Sequence, residues 1–238
     1  MASESSVLAH GLGLTVLPRT RSGGVVLYLH GDRSLAGDPE AGLGLAEDLA
    51  ARTGFEVFCA RYRPAFPAAL HDVRAAYGHC RTRGQVALAG RLEGAGLAAA
   101  LLLSLRDEGA PPPHCAVLLS GLLDLRLTAQ SLLLNGATDP SFDLQDLRGR
   151  ARAYAGDAAP TDPLLSPLLG NLHGLPPVQL QTAGTDPLLD DSLAFAGRAA
   201  RSGVDVHLRV RSSAADLRSG MIGSAAAFLT SWAPAASD

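Results

Sequence analysis

The sequence predicts an α/β fold in which a mostly parallel sheet is covered by helices on both faces. Short continuous apolar runs, typical of strands buried on both sides, alternate along the chain with longer segments of helical spacing. The 238 residues are 47% hydrophobic and 18% charged, which suits a chain that folds around a sizeable core. Residues 1–238 are therefore interpreted as a single domain.

Six apolar runs predict the strands of this sheet. The first run, residues 24–29, is GVVLYL and is followed by His30 and Gly31. The other runs are equally short, and they are residues 55–60, 86–89, 116–119, 178–181 and 206–210. Ligands of parallel sheets bind beyond the carboxyl ends of the strands, so we expect the functional residues to follow these runs directly.

Helical spacing of apolar residues predicts the segments that cover the sheet. The segment 67–80 begins with a proline, which is favoured in the first turn of a helix, and 95–105 is almost entirely apolar, which predicts a buried helix. The remaining predicted helices are residues 41–52, 187–201 and 217–232.

Two segments lie outside this alternation. Residues 1–20 are interpreted as a short N-terminal segment. Residues 125–171 are rich in proline and turn-forming residues, and they predict a loop-rich excursion over the edge of the sheet.

Composition excludes several classes of protein. The formal net charge of −3 disfavours a general nucleic-acid binder, and all 20 basic residues are arginine, which excludes a catalytic lysine and a P-loop. Cys59, Cys80 and Cys115 are an odd, widely spaced set that favours reduced thiols. We see no leader peptide, no run long enough to span a membrane and no metal-ligand spacing. We therefore predict a cytoplasmic protein without a cofactor or a metal, and without a membrane or nucleic-acid partner.

Motifs at the predicted strand ends resemble those of a known family. YLHG at 28–31, the GRLEG turn at 90–94, DPLLSPL at 162–168 and QTAGTDPLLDDS at 181–192 follow one another in order. They resemble the hormone-sensitive-lipase-like, carboxylesterase branch of the α/β-hydrolase family over nearly the whole chain. The resemblance implies an α/β-hydrolase fold with a reduced N-terminal cap.

The resemblance also implies a catalytic triad from which this sequence departs. In that family a Gly-x-Ser-x-Gly turn presents the nucleophile, an Asp and a His complete the triad, and a Gly-rich loop donates oxyanion N–H groups. Here Leu92 takes the position of the serine, Asp186 that of the triad Asp, and Asp216 lies near that of the triad His. The oxyanion loop continues His30-Gly31 with Asp32 and Arg33. The motifs therefore indicate a degenerate triad and argue against the ordinary serine-esterase mechanism.

Four residues are candidates for acid–base catalysis. Asp186 and Asp216 would lie close together at the triad position, and two adjacent carboxyls raise the pKa of one of them. The alternative is that Asp216 only caps the helix predicted to start at 217. Glu93 could enter the pocket as an acid or base, or form a local pair. His30 is the histidine at a predicted strand end, where it is either a base or a structural residue.

Four residues are candidates for ligand binding: Asp32, Arg33, Arg91 and Leu92. Arg91 could hold a carboxylate or a phosphate, although the favoured interpretation is internal pairing with Asp32 or Glu93. Leu92 could line a binding cavity at the former nucleophile position.

The leading hypothesis is an enzyme repurposed for non-hydrolytic acid–base chemistry. Carboxyls in a dry cavity would cyclise, dehydrate or isomerise a small apolar or acyl-type metabolite. One alternative is a non-catalytic small-molecule-binding protein, and residual carboxylesterase activity is a further one. The resemblance also implies a possible homodimer paired through residues 206–210.

Overall fold

A computed structural model describes residues 6–32 and 38–232, and the eight strands within these ranges form one sheet. In chain order they are β1 (Ser6–His10), β2 (Gly13–Leu17), β3 (Gly24–Leu29), β4 (Glu56–Ala60), β5 (Gln85–Arg91), β6 (Ala116–Leu119), β7 (Val178–Ala183) and β8 (Val206–Arg211). Their spatial order is β1-β2-β4-β3-β5-β6-β7-β8. The β1–β2 and β2–β4 pairs are antiparallel, and all the others are parallel.

Helices cover both faces of the sheet. In chain order they are α1 (Leu43–Thr53), α2 (Ala68–Arg81), α3 (Glu93–Asp107), α4 (Ser131–Leu134), α5 (Leu144–Ala155), α6 (Leu189–Arg201) and α7 (Ala214–Ser231). Helices α1 and α7 pack together on one face with a core that includes Val57 and Phe228. Helices α2, α3 and α6 pack on the other face with a core that includes Phe58 and Leu88. The predicted fold, a mostly parallel sheet with helices on both faces, is confirmed.

The predicted strands are confirmed, with small differences at their ends. Most helices also agree, but α3 begins at Glu93, two residues before the predicted start, because the turn at Leu92 leads directly into it. Within the described residues, no helix combines the length and the apolar character that crossing a membrane would require.

The N-terminal hairpin was missing from the sequence-based prediction. Strands β1 and β2 lie in the short N-terminal segment, residues 1–20, and extend the sheet beyond β4. Every residue of β1 is exposed, and its apolar run, Val7-Leu8-Ala9, is only three residues long.

The excursion over the sheet contains more regular structure than expected. Residues 125–171 include α4 and α5, and Asp143 caps α5 by accepting hydrogen bonds from the amides of Gln145 (2.8 Å) and Asp146 (3.1 Å). This segment forms one wall of the cavity described next.

Candidate functional site

A sharp turn between β5 and α3 lies at the centre of the site. Leu92 occupies it with φ 53° and ψ −122°, a backbone conformation that side chains with a Cβ rarely adopt. Its amide donates to the carbonyl of Leu119 (2.9 Å), and its own carbonyl accepts from the amide of Leu122 (3.0 Å). The strained turn is therefore fixed by residues at the end of β6.

Two glycines make this turn possible. A Cβ at Gly94 would overlap the carbonyl oxygen of Leu29, and a Cβ at Gly90 would lie 2.5 Å from the carbonyl oxygen of Gly94. The end of β3 and the start of α3 can approach closely only because these side chains are absent. The expectation that residues 90–94 keep a sharp turn is confirmed.

A cavity of about 680 Å³ opens over the turn. Arg91 and Leu92 line it from the turn, Ser120 and Asp186 line it from the ends of β6 and β7, and Met221 lines it from α7. The excursion supplies a further wall through Thr138, Asp139, Pro140, Ser141, Phe142, Asp143, Leu147 and Arg150. Its volume is in the range of small-molecule sites.

The side chain of Leu92 is almost fully buried at the base of this cavity. It is 6% exposed and belongs to an apolar cluster with Leu122, Leu147 and Leu188. The position that the sequence motif assigns to a nucleophile therefore holds a hydrocarbon that packs the excursion onto the turn.

Asp186 lies in the cavity wall, as the sequence predicts. Asp186 is 9% exposed, and its Oδ1 accepts a hydrogen bond from the amide of Leu188 (2.9 Å). Asn135 of the excursion donates its side-chain amide to the carbonyl of Gly184 (3.0 Å) and to that of Asp186 (2.9 Å). The loop after β7 is thus tied to the excursion.

Asp216 is not part of the cavity wall, and this corrects the hypothesis of a paired carboxyl site. Its exposed carboxylate accepts hydrogen bonds from the hydroxyls of Ser212 and Ser213 at the start of α7. These hydroxyls lower the pKa of Asp216, whereas the hypothesis required its carboxyl to lie in the cavity beside Asp186. The N-cap residue is Ser213, so even the capping alternative was assigned three residues too late.

Glu93 points back against the loop that follows β3. Its Oε1 accepts the amide of Asp32 (3.0 Å), and its carboxyl group packs so closely on Gly31 that a Cβ there would lie 2.8 Å from Oε2. An amide expected to serve an oxyanion is therefore already bound to an internal carboxylate. Arg33 lies outside the described residues.

His30 is buried below this loop and is not a lining residue of the cavity. Its Nδ1 lies 3.4 Å from the Tyr28 hydroxyl, and its carbonyl accepts a hydrogen bond from the Tyr62 hydroxyl. Burial, followed by the nearby Arg91 guanidinium, lowers its pKa, so the imidazole is neutral at pH 7. This environment fits the structural alternative for His30.

Arg91 differs from the favoured interpretation. Within residues 6–32 and 38–232, its guanidinium makes neither an ion pair nor a hydrogen bond, so internal pairing with Asp32 or Glu93 is not observed. Its half-buried side chain instead lines the cavity.

Sequence reasoning missed several lining residues, among them Asp143, which caps α5, and Arg218, which reaches the cavity from α7. Ser120 also lines the cavity, where it is buried with φ 46° next to the turn. The irregular composition of the excursion gave no signal that it would fold back over the turn.

Comparison with known proteins places this architecture in a family. The profile of the α/β hydrolase fold matches residues 26–214, most of the chain. The chain belongs to the α/β-hydrolase family. Within it, the chain resembles the hormone-sensitive-lipase branch. It superposes with a TM-score of 0.90 and 31% identity on an esterase from the bacterial hormone-sensitive lipase family, covering 98% of this chain and 86% of that one.

Relatives of this α/β hydrolase are named as hydrolases. An acetyl-hydrolase of Streptomyces hygroscopicus is 37% identical over 199 residues, which are 80% of this chain and 67% of the relative. An esterase of Acinetobacter venetianus is 32% identical over 195 residues, which are 78% of this chain and 64% of the relative. The chain thus spans about two thirds of the length of these proteins.

These comparisons overturn the leading functional hypothesis. Non-hydrolytic cyclisation, dehydration or isomerisation is wrong as the expectation for this α/β hydrolase, because its relatives and structural neighbours are esterases and acetyl-hydrolases. The geometry agrees, since the carboxyl pair on which that chemistry depended is not assembled.

Proposed function

We propose that this chain binds a carboxylic ester in the cavity over the turn at Leu92. The observation that carries the proposal is the cavity itself, about 680 Å³ in volume and lying directly on the turn that the esterase motif marks. Leu92, Leu119, Leu217 and Met221 supply apolar lining, while Ser120 and Asp186 supply polar groups. This mixture suits a molecule with a hydrocarbon chain and a carbonyl group.

The residues at the turn define how such an ester is held. The methyl groups of Leu92 offer apolar contact but no lone pair, so no acyl–enzyme bond forms at this position. The amide of Asp32 is bound by Glu93 and is not available to a carbonyl oxygen while that contact persists. The proposed site is therefore one of ester recognition with a degenerate triad.

Hydrolysis of the bound ester is a second candidate function. It is favoured by the names of the relatives and by the position of the Asp186 carboxylate in the cavity wall. Water would attack the ester carbonyl and lose its proton to Asp186, and the departing alkoxide would then take that proton. No histidine is among the described lining residues, and the Asp32 amide is bound by Glu93, so we expect this reaction to be slow.

Methionine-methyl NMR tests ester binding with a built-in reporter. The chain contains two methionines, and Met221 lines the cavity. In protein labelled with ¹³C at the methionine methyl groups, titration with ethyl butyrate is expected to shift the Met221 signal in a saturable way. The variant Met221→Leu assigns that signal.

Two controls determine the outcome of this titration. Leu147→Trp fills the cavity from α5 and is expected to abolish the shift, whereas Leu133→Trp, at an exposed position of α4, is expected to preserve it. A folded wild-type protein with no saturable shift, or with equal shifts of both methyl signals, contradicts the proposal. Proton spectra of the same samples report ethanol release, and loss of that release in Asp186→Asn would support the hydrolytic candidate.

A cytoplasmic location belongs to the same proposal. Cys59, Cys80 and Cys115 are buried free thiols. Burial raises the pKa of each thiol to about 12, so little reactive thiolate forms. Reduced, unpaired cysteines of this kind are typical of intracellular proteins.

A further inference from the structure

We propose that the ligand of this cavity carries a carboxylate group and that Arg91 is the residue that binds it. The inference rests on the proposed ester-binding function and narrows it to esters that also contain a carboxylate. It follows from a difference among the charged side chains that line the cavity: several carboxylates accept hydrogen bonds from the protein, whereas Arg91 has no such partner among the described residues.

Three of the four acidic residues in the described wall, Asp139, Asp143 and Asp186, accept hydrogen bonds from nearby donors. Asp186 accepts the amide of Leu188 (2.9 Å), and Asp143 accepts the amides at the start of α5. Asp139 accepts both the amide (2.9 Å) and the hydroxyl (2.6 Å) of Ser141. These carboxylates have structural roles within their own loops, so they do not require a ligand.

Two of the three arginines in the described wall differ from these carboxylates, whereas the third, Arg150, pairs with Asp146. Arg91 and Arg218 both line the cavity, and neither guanidinium has an ion-pair or hydrogen-bond partner in the part of the chain that the structure describes. Arg91 is half-buried and directly precedes Leu92 at the end of β5, whereas Arg218 is exposed on α7. A partly buried cation without a partner is costly, and an anionic ligand group removes that cost.

The geometry of the guanidinium group and the charge of the cavity wall favour a carboxylate over a phosphate as the group that binds Arg91. The planar fork of arginine donates two parallel hydrogen bonds to a carboxylate. The described lining residues include four aspartates and three arginines, a formal balance of −1. A dianionic phosphate would oppose this residual negative charge more strongly than a singly charged carboxylate does. A carboxylate bound at Arg91 would also place the rest of the ligand beside Leu92.

Two matched esters test the inference. Monoethyl succinate carries one ester and one carboxylate, while diethyl succinate is neutral and of similar shape. Titrations followed at the Met221 methyl group are expected to give wild-type protein about tenfold tighter binding of the monoester, the usual scale for a charge-assisted hydrogen-bonded pair. Arg91→Gln is expected to lose this preference. Arg81→Gln removes the same charge from an exposed position at the end of α2 and is expected to keep it.

The outcomes separate this inference from the proposal beneath it. If wild-type protein binds both esters equally, the assignment of a carboxylate fails while ester binding stands, and this result needs no variant to fold. If neither ester binds, both proposals fail. Retention of the preference in Arg91→Gln with its loss in Arg218→Gln would overturn the role of Arg91, and tighter binding of ethyl phosphate would overturn the choice of carboxylate.

Discussion

Protonation of Asp191 is expected to control the stability of the loop that leads from β6 into the excursion. This carboxylate is 3% exposed, and its Oδ2 accepts the amides of Leu123 (2.8 Å) and Asp124 (3.1 Å). Burial raises its pKa to about 7 from 3.8. The folded state therefore binds the Asp191 proton more tightly than the unfolded state does. The contribution of this proton to the free energy of unfolding is complete below pH 3.8 and is lost as the pH rises through about 7.

The size of this effect follows from the shift. About three pKa units correspond to about 4 kcal/mol of unfolding free energy that disappears between roughly pH 4 and pH 8. Asp191→Asn keeps an oxygen acceptor for the two amides but cannot ionise. Its free energy of unfolding is therefore expected to gain about 4 kcal/mol relative to wild type over that interval.

Urea unfolding followed by the fluorescence of the single tryptophan, Trp232, measures this difference. Both proteins are compared at several pH values, with Asp48→Asn, an exposed carboxyl on α1, as the control that should remain parallel to wild type. Parallel pH profiles for Asp191→Asn and wild type, differing by less than about 1 kcal/mol across the interval, would refute the reasoning.

Three further predictions concern the turn and the start of α7. Leu92→Ser is expected to leave hydrolysis of p-nitrophenyl butyrate at the wild-type level, because no histidine is among the described lining residues; a rise above about tenfold would contradict this. Gly94→Ala is expected to cost more than about 2 kcal/mol in urea unfolding, whereas Gly78→Ala, with open space in α2, should be neutral or stabilising; equal effects would contradict the close approach. Ser213→Ala is expected to lower stability by about 1 kcal/mol through loss of the α7 cap, while Asp216→Asn should leave the ester-dependent Met221 shift unchanged. Loss of that shift would restore Asp216 to the binding site.

The fold was predictable because several local signals agreed with one another. Buried parallel strands produce continuous apolar runs, and the pair Gly90 and Gly94 marks a turn that few other residues allow. The hairpin β1–β2 was missed because it precedes the alternation of strands and helices, and the apolar run of β1 is only three residues long. Its pairing depends on the neighbouring β4, which a local pattern does not contain.

The site was predictable only where a residue is fixed by a strand end. Leu92 and Asp186 lie at the cavity as expected, since β5 and β7 hold them there. Asp216 was misplaced because the start of α7 depends on Ser213 and the turn before it, which short motifs do not determine. The lining residues of the excursion were missed because a loop-rich composition does not indicate which surface the segment will cover.

Intact-mass spectrometry after treatment with a fluorophosphonate tests the central claim most directly. Such reagents form a covalent adduct with a serine that is activated as a nucleophile. With Leu92 at the turn, we expect the protein mass to remain unchanged after treatment. As a control, the treated and untreated samples should contain the same fraction of folded protein. A single stoichiometric adduct mapped to Ser120, the buried hydroxyl next to Leu92 in the cavity wall, would contradict the account.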